Sequence, residues 1–268
     1  YEKALPYLEI AIKTDISSLK ALAYNNIGYC YDELGNFSKS VEAYKQAIRI
    51  DPDYAVAHYN LGVVYGELGL DKDAIEAYKQ AIRINPDYAN ARINLGITYG
   101  EIGNYTKAIE SFKQAIRIAP NDAIAHYNLG YAYGNIDNYT KAIEAYKQAI
   151  RIDPDYVGAY CNLGYAYYRL GFYKDAVEAY KQAIRINPDD ADTYYNLGVS
   201  YYELGFYKDT IEAYKQAICI HPNYANAHYN LGIAYVLIGD RNLALNEYEI
   251  LKRLDINLAN ELFDFINK

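Results

Sequence analysis

The chain has 268 residues, 52% of them hydrophobic, and a formal net charge of −8. That acidity opposes a phosphate-binding surface and so excludes nucleic acid as a partner. No apolar run approaches the ~18 residues of a membrane span and no signal peptide is visible, so a membrane is not expected as a partner and the expected location is cytoplasmic.

The chain opens at Tyr1, without methionine, in what reads as the middle of a helix. We therefore expect a fragment of a longer protein, with room for a catalytic domain elsewhere in its parent. Residues 1–20 read as the second helix of a truncated repeat followed by a linker, with Ala4, Leu8 and Ala11 on its packing face. From Ala21 a pattern of 34 residues recurs seven times without insertion, starting at 21, 55, 89, 123, 157, 191 and 225 and ending at 258. A fixed period of this length is the signature of a stacked array in which repeats touch only their neighbours.

Within each copy, position 7 is Leu or Ile, position 8 is Gly and position 11 is Tyr. Position 20 is Ala, Ser or Thr, position 24 is Tyr or Phe, position 27 is usually Ala and position 32 usually Pro. Positions 4, 7, 8 and 11 share one helical face, and 20, 24 and 27 share another, so each copy predicts two helices packed through small residues. Glycine at position 15 suits a left-handed helix end; only Asp137 replaces it, in a residue type that tolerates that backbone. The acid or amide after the proline (Asp53, Asp87, Asn121, Asp155, Asp189, Asn223) suits an N-cap. Position 27 becomes Leu251 and position 32 becomes Ile256 in the last copy, and residues 259–268 read as a capping helix.

Leu-Gly-x-x-Tyr, Ala-x-x-x-Tyr/Phe-x-x-Ala and Pro at these spacings resemble the tetratricopeptide repeat (TPR) family, with its usual Trp at position 4 replaced by Tyr, His or Arg. The resemblance implies an all-α, right-handed superhelical solenoid whose first helices line a concave groove. It also implies a protein partner, bound as an extended peptide or flexible segment. The junction Pro-Asp-Tyr-Ala-x-Ala-His-Tyr-Asn-Leu-Gly is similar to the TPR region of O-GlcNAc transferases and their bacterial relatives, where an asparagine ladder contacts the backbone of bound protein.

Position 6 is asparagine in every copy: Asn26, Asn60, Asn94, Asn128, Asn162, Asn196 and Asn230. Asparagine is an indifferent helix former, so helix formation does not explain it. One carboxamide can pair with a peptide C=O and N–H together, which would read backbone rather than side chain. The alternative is that it bonds to the neighbouring repeat. Acids along the same stripe (Asp32, Glu33, Glu67, Glu101, Asp192, Glu203) outnumber the single base, Arg169. Tyr29, Tyr59, Tyr127, Tyr131, Tyr165, Tyr168, Tyr195, Tyr202 and Tyr229 lie between them, some of them open to use as packing for the next repeat. Acids beside tyrosine faces favour a partner carrying Lys or Arg.

No base occupies positions 2, 5 or 6, so the dicarboxylate clamp of chaperone-binding members of the family is not expected. His58, His126 and His228 all sit at position 4, two or three repeats apart, and read as structural. Cys30, Cys161 and Cys219 fall at unrelated positions and read as incidental thiols. We expect no catalytic residue, no metal site and no cofactor. Lys45, Lys79, Lys113, Lys147, Lys181 and Lys215 at position 25 read as solvated i,i+3 partners of acids at position 22. Two further readings stay open: a substrate-recruiting arm of a larger enzyme such as a glycosyltransferase, and a scaffold that self-associates end to end.

Overall fold

The computed structural model describes residues 1–13 and 16–267; Thr14 and Asp15, within the expected first linker, and Lys268, within the expected capping segment, lie outside them. All regular structure among the described residues is α-helical. The chain divides into two compact units, 1–136 and 137 onward.

Unit 1 begins with the short α1 (Leu5–Ala11) and continues as α2 (Ser17–Glu33), α3 (Phe37–Ile50), α4 (Ala55–Glu67), α5 (Asp71–Ile84), α6 (Ala89–Glu101), α7 (Tyr105–Ile118) and α8 (Ala123–Gly134). Unit 2 holds α9 (Tyr139–Ile152), α10 (Val157–Arg169), α11 (Tyr173–Ile186), α12 (Ala191–Glu203), α13 (Tyr207–Ile220), α14 (Ala225–Leu237), α15 (Arg241–Leu254) and α16 (Ile256–Ile266). In each unit the two helices of a repeat pack together, and the second also packs on the first helix of the next.

The glycine at position 8 makes the first of these contacts possible. A Cβ on Gly62 would come within 2.7 Å of the Tyr78 ring, and one on Gly96 within 2.6 Å of Phe112. Gly164 and Gly198 meet Tyr180 and Tyr214 in the same way. Alanines at positions 20 and 27 are fully shielded, among them Ala74, Ala81, Ala108 and Ala115. Where position 20 is polar, its hydroxyl is satisfied by backbone: Ser40 Oγ donates to the Gly28 carbonyl at 2.8 Å.

Helix ends follow the expected backbone with one correction. Asp137 adopts φ 57°, and Gly69 and Gly103 adopt φ 68° and 76° at the equivalent position. The N-caps of the first helices, however, lie one residue later than the acid or amide after the proline, at Tyr54, Tyr88, Asp122, Tyr156, Asp190 and Tyr224. The earlier residue sits in the turn instead; the Asp53 amide donates to the Asp51 carboxylate at 3.2 Å. Only where the cap is itself an acid does a side chain close the helix, as Asp122 does by accepting from the Ala125 amide. Among the second helices, Asn36, Asn104, Asn138 and Asp240 cap through their side chains.

The two chain ends differ from the interior. Helix α1 has seven residues against the usual fourteen, and buries none of them; Ala4 and Ala11 are exposed and Leu8 is half-buried. At the other end α16 packs on both α14 and α15. Its Leu262 takes the slot over Gly232 that a position-24 aromatic fills elsewhere, at 2.5 Å from a built Cβ. Tyr248, the aromatic of that repeat, is only half-buried and lies against Phe263 with ring centroids 5.0 Å apart.

Candidate functional site

The asparagines of position 6 project from the first helices, and their neighbours decide what each one does. Asn60 Nδ2 donates to Asn25 Oδ1 at 3.0 Å. Asn94 Nδ2 donates to the Tyr59 hydroxyl at 3.2 Å, and Asn230 Nδ2 to the Tyr195 hydroxyl at 3.0 Å. In each case the acceptor is position 5 of the preceding repeat, so the bond ties one repeat to the next. Position 5 before Asn128 is Ile93, which can accept nothing, and the Asn128 carboxamide turns back to the Ile124 carbonyl at 2.9 Å. Before Asn196 it is Cys161, whose thiol lies 3.1 Å from Thr193 Oγ1 instead. Where the nitrogen is committed, Oδ1 is the group left to receive a partner's N–H.

The expected tyrosines are drawn into packing to different degrees. Tyr59 and Tyr195 are half-buried, with their rings 4.9 and 5.1 Å from those of Tyr88 and Tyr224. Tyr127 and Tyr229 are also half-buried. Tyr131 and Tyr165 are 49% and 46% exposed. Tyr168 and Tyr202, at position 12, lie across Tyr173 and Tyr207 at 5.5 and 6.0 Å.

The acids divide in the same way. Asp192 accepts from the Tyr224 hydroxyl at 2.7 Å, and Glu203 from that of Tyr168 at 3.4 Å. In unit 1, burial pushes the Asp32 carboxyl up to about 6, helped by the nearby Glu67 and Glu33 carboxylates. Its Oδ1 is shielded from solvent and has no hydrogen-bond partner among the described residues. Tyr1 and Glu33 beside the Tyr29 hydroxyl raise its pKa, and the Tyr1 ring meets that of Tyr29 edge-on at 5.7 Å. Glu101 is exposed and pairs with no described side chain.

Two clefts at equivalent places in successive first helices complete the surface. In unit 1 a cavity of about 320 Å³ is bounded by Gly100, Glu101, Tyr105, Phe112, Asn128 and Tyr131, among others. In unit 2 a cavity of about 210 Å³ is bounded by Val199, Tyr202, Glu203, Tyr214, Asn230 and Ile233. They differ at position 12, glycine in one and tyrosine in the other, and at position 9 of the later first helix, where Tyr131 stands in one and Ile233 in the other.

Three features of the repeats carry roles that the sequence pattern alone does not reveal. The polar residue at position 4 ties down the preceding proline turn: His58, His126 and His228 place Nε2 3.0 Å from the carbonyls of Pro52, Pro120 and Pro222. Arg92 does the same, donating to the Pro86 carbonyl at 2.8 Å. His228 additionally lies 2.6 Å from Glu247, which replaces the alanine or serine of position 23. Five of the position-25 lysines lie over the position-11 tyrosine of the next repeat, as Lys45 over Tyr65 at 5.7 Å and Lys215 over Tyr235 at 5.8 Å, while Tyr99 is covered by Lys107 instead of Lys79. Among the described residues only Lys181 of that set forms the expected i,i+3 pair, with Glu178 at 3.6 Å. Reading position 25 together with position 11 of the next copy would have found this contact.

No group of His, Cys, Asp or Glu among the described residues is arranged to hold a metal, and no described helix is long and apolar enough to cross a membrane. Cys30 is buried, Cys161 half-buried and Cys219 exposed, all as free thiols.

No curated protein matches the chain. Among solved structures, MamA is 32% identical, with a TM-score of 0.59 over 62% of this chain and 97% of that one. YrrB, described as a TPR protein with an unusual peptide-binding site, is 22% identical, with a TM-score of 0.62 over 70% of this chain and 96% of YrrB. A tetratricopeptide repeat protein from Parabacteroides merdae is 17% identical, with a TM-score of 0.65 over 92% of this chain and 99% of its own. The TPR repeat profile matches residues 28–69, 99–137, 136–171, 170–205 and 200–239. Two tetratricopeptide repeat profiles match 55–88 and 77–110. With its helix pairs, its position-8 glycines and its prolines in the same register, the chain belongs to the tetratricopeptide repeat family.

Proposed function

We propose that this chain is a non-catalytic protein-interaction scaffold that receives an extended, basic peptide or flexible segment along its first helices. One observation carries the reading. In unit 1 an unpaired carboxylate (Glu101), a carboxamide held only by its own helix (Asn128) and an exposed tyrosine face (Tyr131) border the same cleft of about 320 Å³. Such a cleft lies at the small end of ligand-sized sites, with apolar walls and few polar groups. The peptide-binding site named for YrrB supports a peptide as the occupant.

The carboxamides act here chiefly as acceptors of a partner's backbone N–H, since several nitrogens are bonded across the repeat boundary. Each such bond contributes on the order of 1 kcal/mol net, while ordering an extended segment opposes it by several. Micromolar affinity is the expected range. The test is an array of random peptides of about twelve residues probed with the whole chain, followed by titration calorimetry at two salt concentrations. Lys- and Arg-containing sequences should be enriched, and their affinity should fall as salt rises. Retention of acidic and basic peptides alike, or of none, overturns the proposal.

A further inference from the structure

The chain carries its own example of a bound guanidinium. Arg169 lies 4.6 Å from the ring centroid of Tyr139 and 5.6 Å from that of Tyr165. It donates to the Tyr165 hydroxyl at 2.7 Å and pairs with Asp137 at 3.4 Å. These residues occupy fixed places in the repeat: Tyr139 is position 17 of one copy, Tyr165 and Arg169 positions 9 and 13 of the next.

Moving back 34 residues gives Tyr105, Tyr131 and Asn135. The two tyrosines remain and both border the unit 1 cleft. The arginine does not; Asn135 is too short to reach and donates to the Tyr131 backbone carbonyl at 2.9 Å. A carboxylate is still present, now from Glu101 on the cleft wall. Tyr105 is half-buried, and no described aromatic ring lies against it. Its counterparts Tyr173 and Tyr207 lie against Tyr168 and Tyr202, but here position 12 is Gly100.

That glycine is not demanded by packing or backbone. A Cβ at Gly100 would find nothing nearer than Tyr105 Cε1 at 4.0 Å, and its φ is not positive. Gly96, four residues earlier, would collide with Phe112. Glycine is a poor helix former, so its use at an open position keeps space clear.

We propose that the cleft between Tyr105 and Tyr131 is an arginine socket. Tyr139 and Tyr165 meet edge to face, 78° apart with centroids at 6.3 Å, so Arg169 lies over the first ring and donates to the hydroxyl of the second. In the same way the guanidinium of a bound segment lies over Tyr105, donates to the Tyr131 hydroxyl and pairs with Glu101, while Asn128 accepts from the segment's backbone. Arginine rather than lysine fits because a planar guanidinium covers one ring face while its edge N–H groups reach the hydroxyl and the carboxylate at once. The inference rests on the groove reading above and adds the identity of one anchoring side chain.

The probe is a capped Gly-Ser peptide of about twelve residues with one central arginine, alongside its citrulline twin, which keeps the shape and removes the charge. Calorimetry on the intact chain should show the citrulline peptide binding at least about tenfold more weakly. Gly100→Tyr, which copies Tyr168 and Tyr202, should weaken the arginine peptide by the same factor and leave the citrulline peptide unchanged. Asn135→Arg, which supplies the guanidinium from within, should do likewise, and as a surface change it guards against misfolding of the first variant. Equal binding of the two peptides, or arginine binding untouched in both variants, overturns the socket. If array peptides bind wild type and Gly100→Tyr alike, the groove stands without the socket. If wild type binds neither the probe nor any array peptide, the groove reading itself fails.

Discussion

The clefts of about 320 Å³ in unit 1 and 210 Å³ in unit 2 are built on the same repeat positions, so their difference is a matter of side chains rather than scaffold. At position 12 Gly100 leaves space where Tyr202 fills it, and at position 13 both keep a glutamate, Glu101 and Glu203. The first of these glutamates is unpaired, while Tyr168 donates to the second. An array copied from one pattern can thus hold wider and narrower clefts on equivalent helices. Identical packing positions set the frame, and the few positions outside the packing faces decide where space is left between successive first helices.

The strongest way to test that division is to add one methyl group at each kind of glycine. Gly96→Ala places a carbon 2.6 Å from the Phe112 ring, and the equivalent Gly198→Ala lies as close to Tyr214. Overpacking of this kind costs about 1–3 kcal/mol, and the ring cannot swing clear because Phe112 is 2% exposed. Gly100→Ala meets no such contact and should leave stability unchanged or raise it by up to about 1 kcal/mol. Urea denaturation of the three variants decides it. Equal losses at Gly96 and Gly100 would mean that position 12 is a packing position and that the cleft is not open space.

Positions that pack within a repeat were legible from the sequence, because period and residue size are both written there. Position 8 glycine, position 24 aromatic and the left-handed Asp137 follow from size and backbone alone. Contacts between repeats were less legible. Each joins two positions that the pattern lists separately, such as Lys45 with Tyr65, or Asn94 with Tyr59. The N-cap moved by one residue because the acid after the proline is engaged in the turn before the helix begins. At the last repeat Leu262 displaces Tyr248 from the glycine slot, an outcome that depends on a helix lying outside the repeat pattern.

Asparagine separates the two kinds of contact further. Asn94→Ala removes a bond to a half-buried tyrosine of the preceding repeat, and should cost about 1 kcal/mol. Asn128→Ala removes only a bond back to its own helix and exchanges a weak helix former for a strong one. Its stability should be unchanged or slightly higher, while binding of a groove peptide weakens. Thermal melts alongside calorimetry would expose a failure: if Asn128→Ala destabilises as much as Asn94→Ala, the neighbouring residue at position 5 does not govern the role of the asparagine.

Proton linkage gives the smallest effect and the most local comparison. In unit 2 the His228 imidazole, with 6% of its side chain exposed, is opposed by burial but held protonated by Glu247 and by the Pro222 carbonyl, so its pKa lies above the ordinary histidine value. A pKa raised on folding contributes stability that is complete below the unfolded value and is lost as pH rises through the folded one. Glu247→Gln should therefore destabilise most below about pH 6.5 and least in alkali. In unit 1 Asp32 follows the same sign in a lower window, with its carboxyl raised from 3.8 to about 6 by burial and by Glu67 and Glu33. Its protonated form is the favoured one, so the native state loses stability as pH rises through about 6. Asp32→Asn should then stabilise at pH 7.5 and do nothing near pH 3.5; partial solvent exposure holds the gain to about 1 kcal/mol. A basic peptide seated beside Asp32 and Glu67 would reverse the preference by favouring both carboxylates, and binding near pH 6 should release protons to the buffer. Calorimetry in two buffers of different ionisation enthalpy measures that release directly. Its absence, with the Asp32→Asn gain intact, would place the peptide away from this end of the unit 1 stripe.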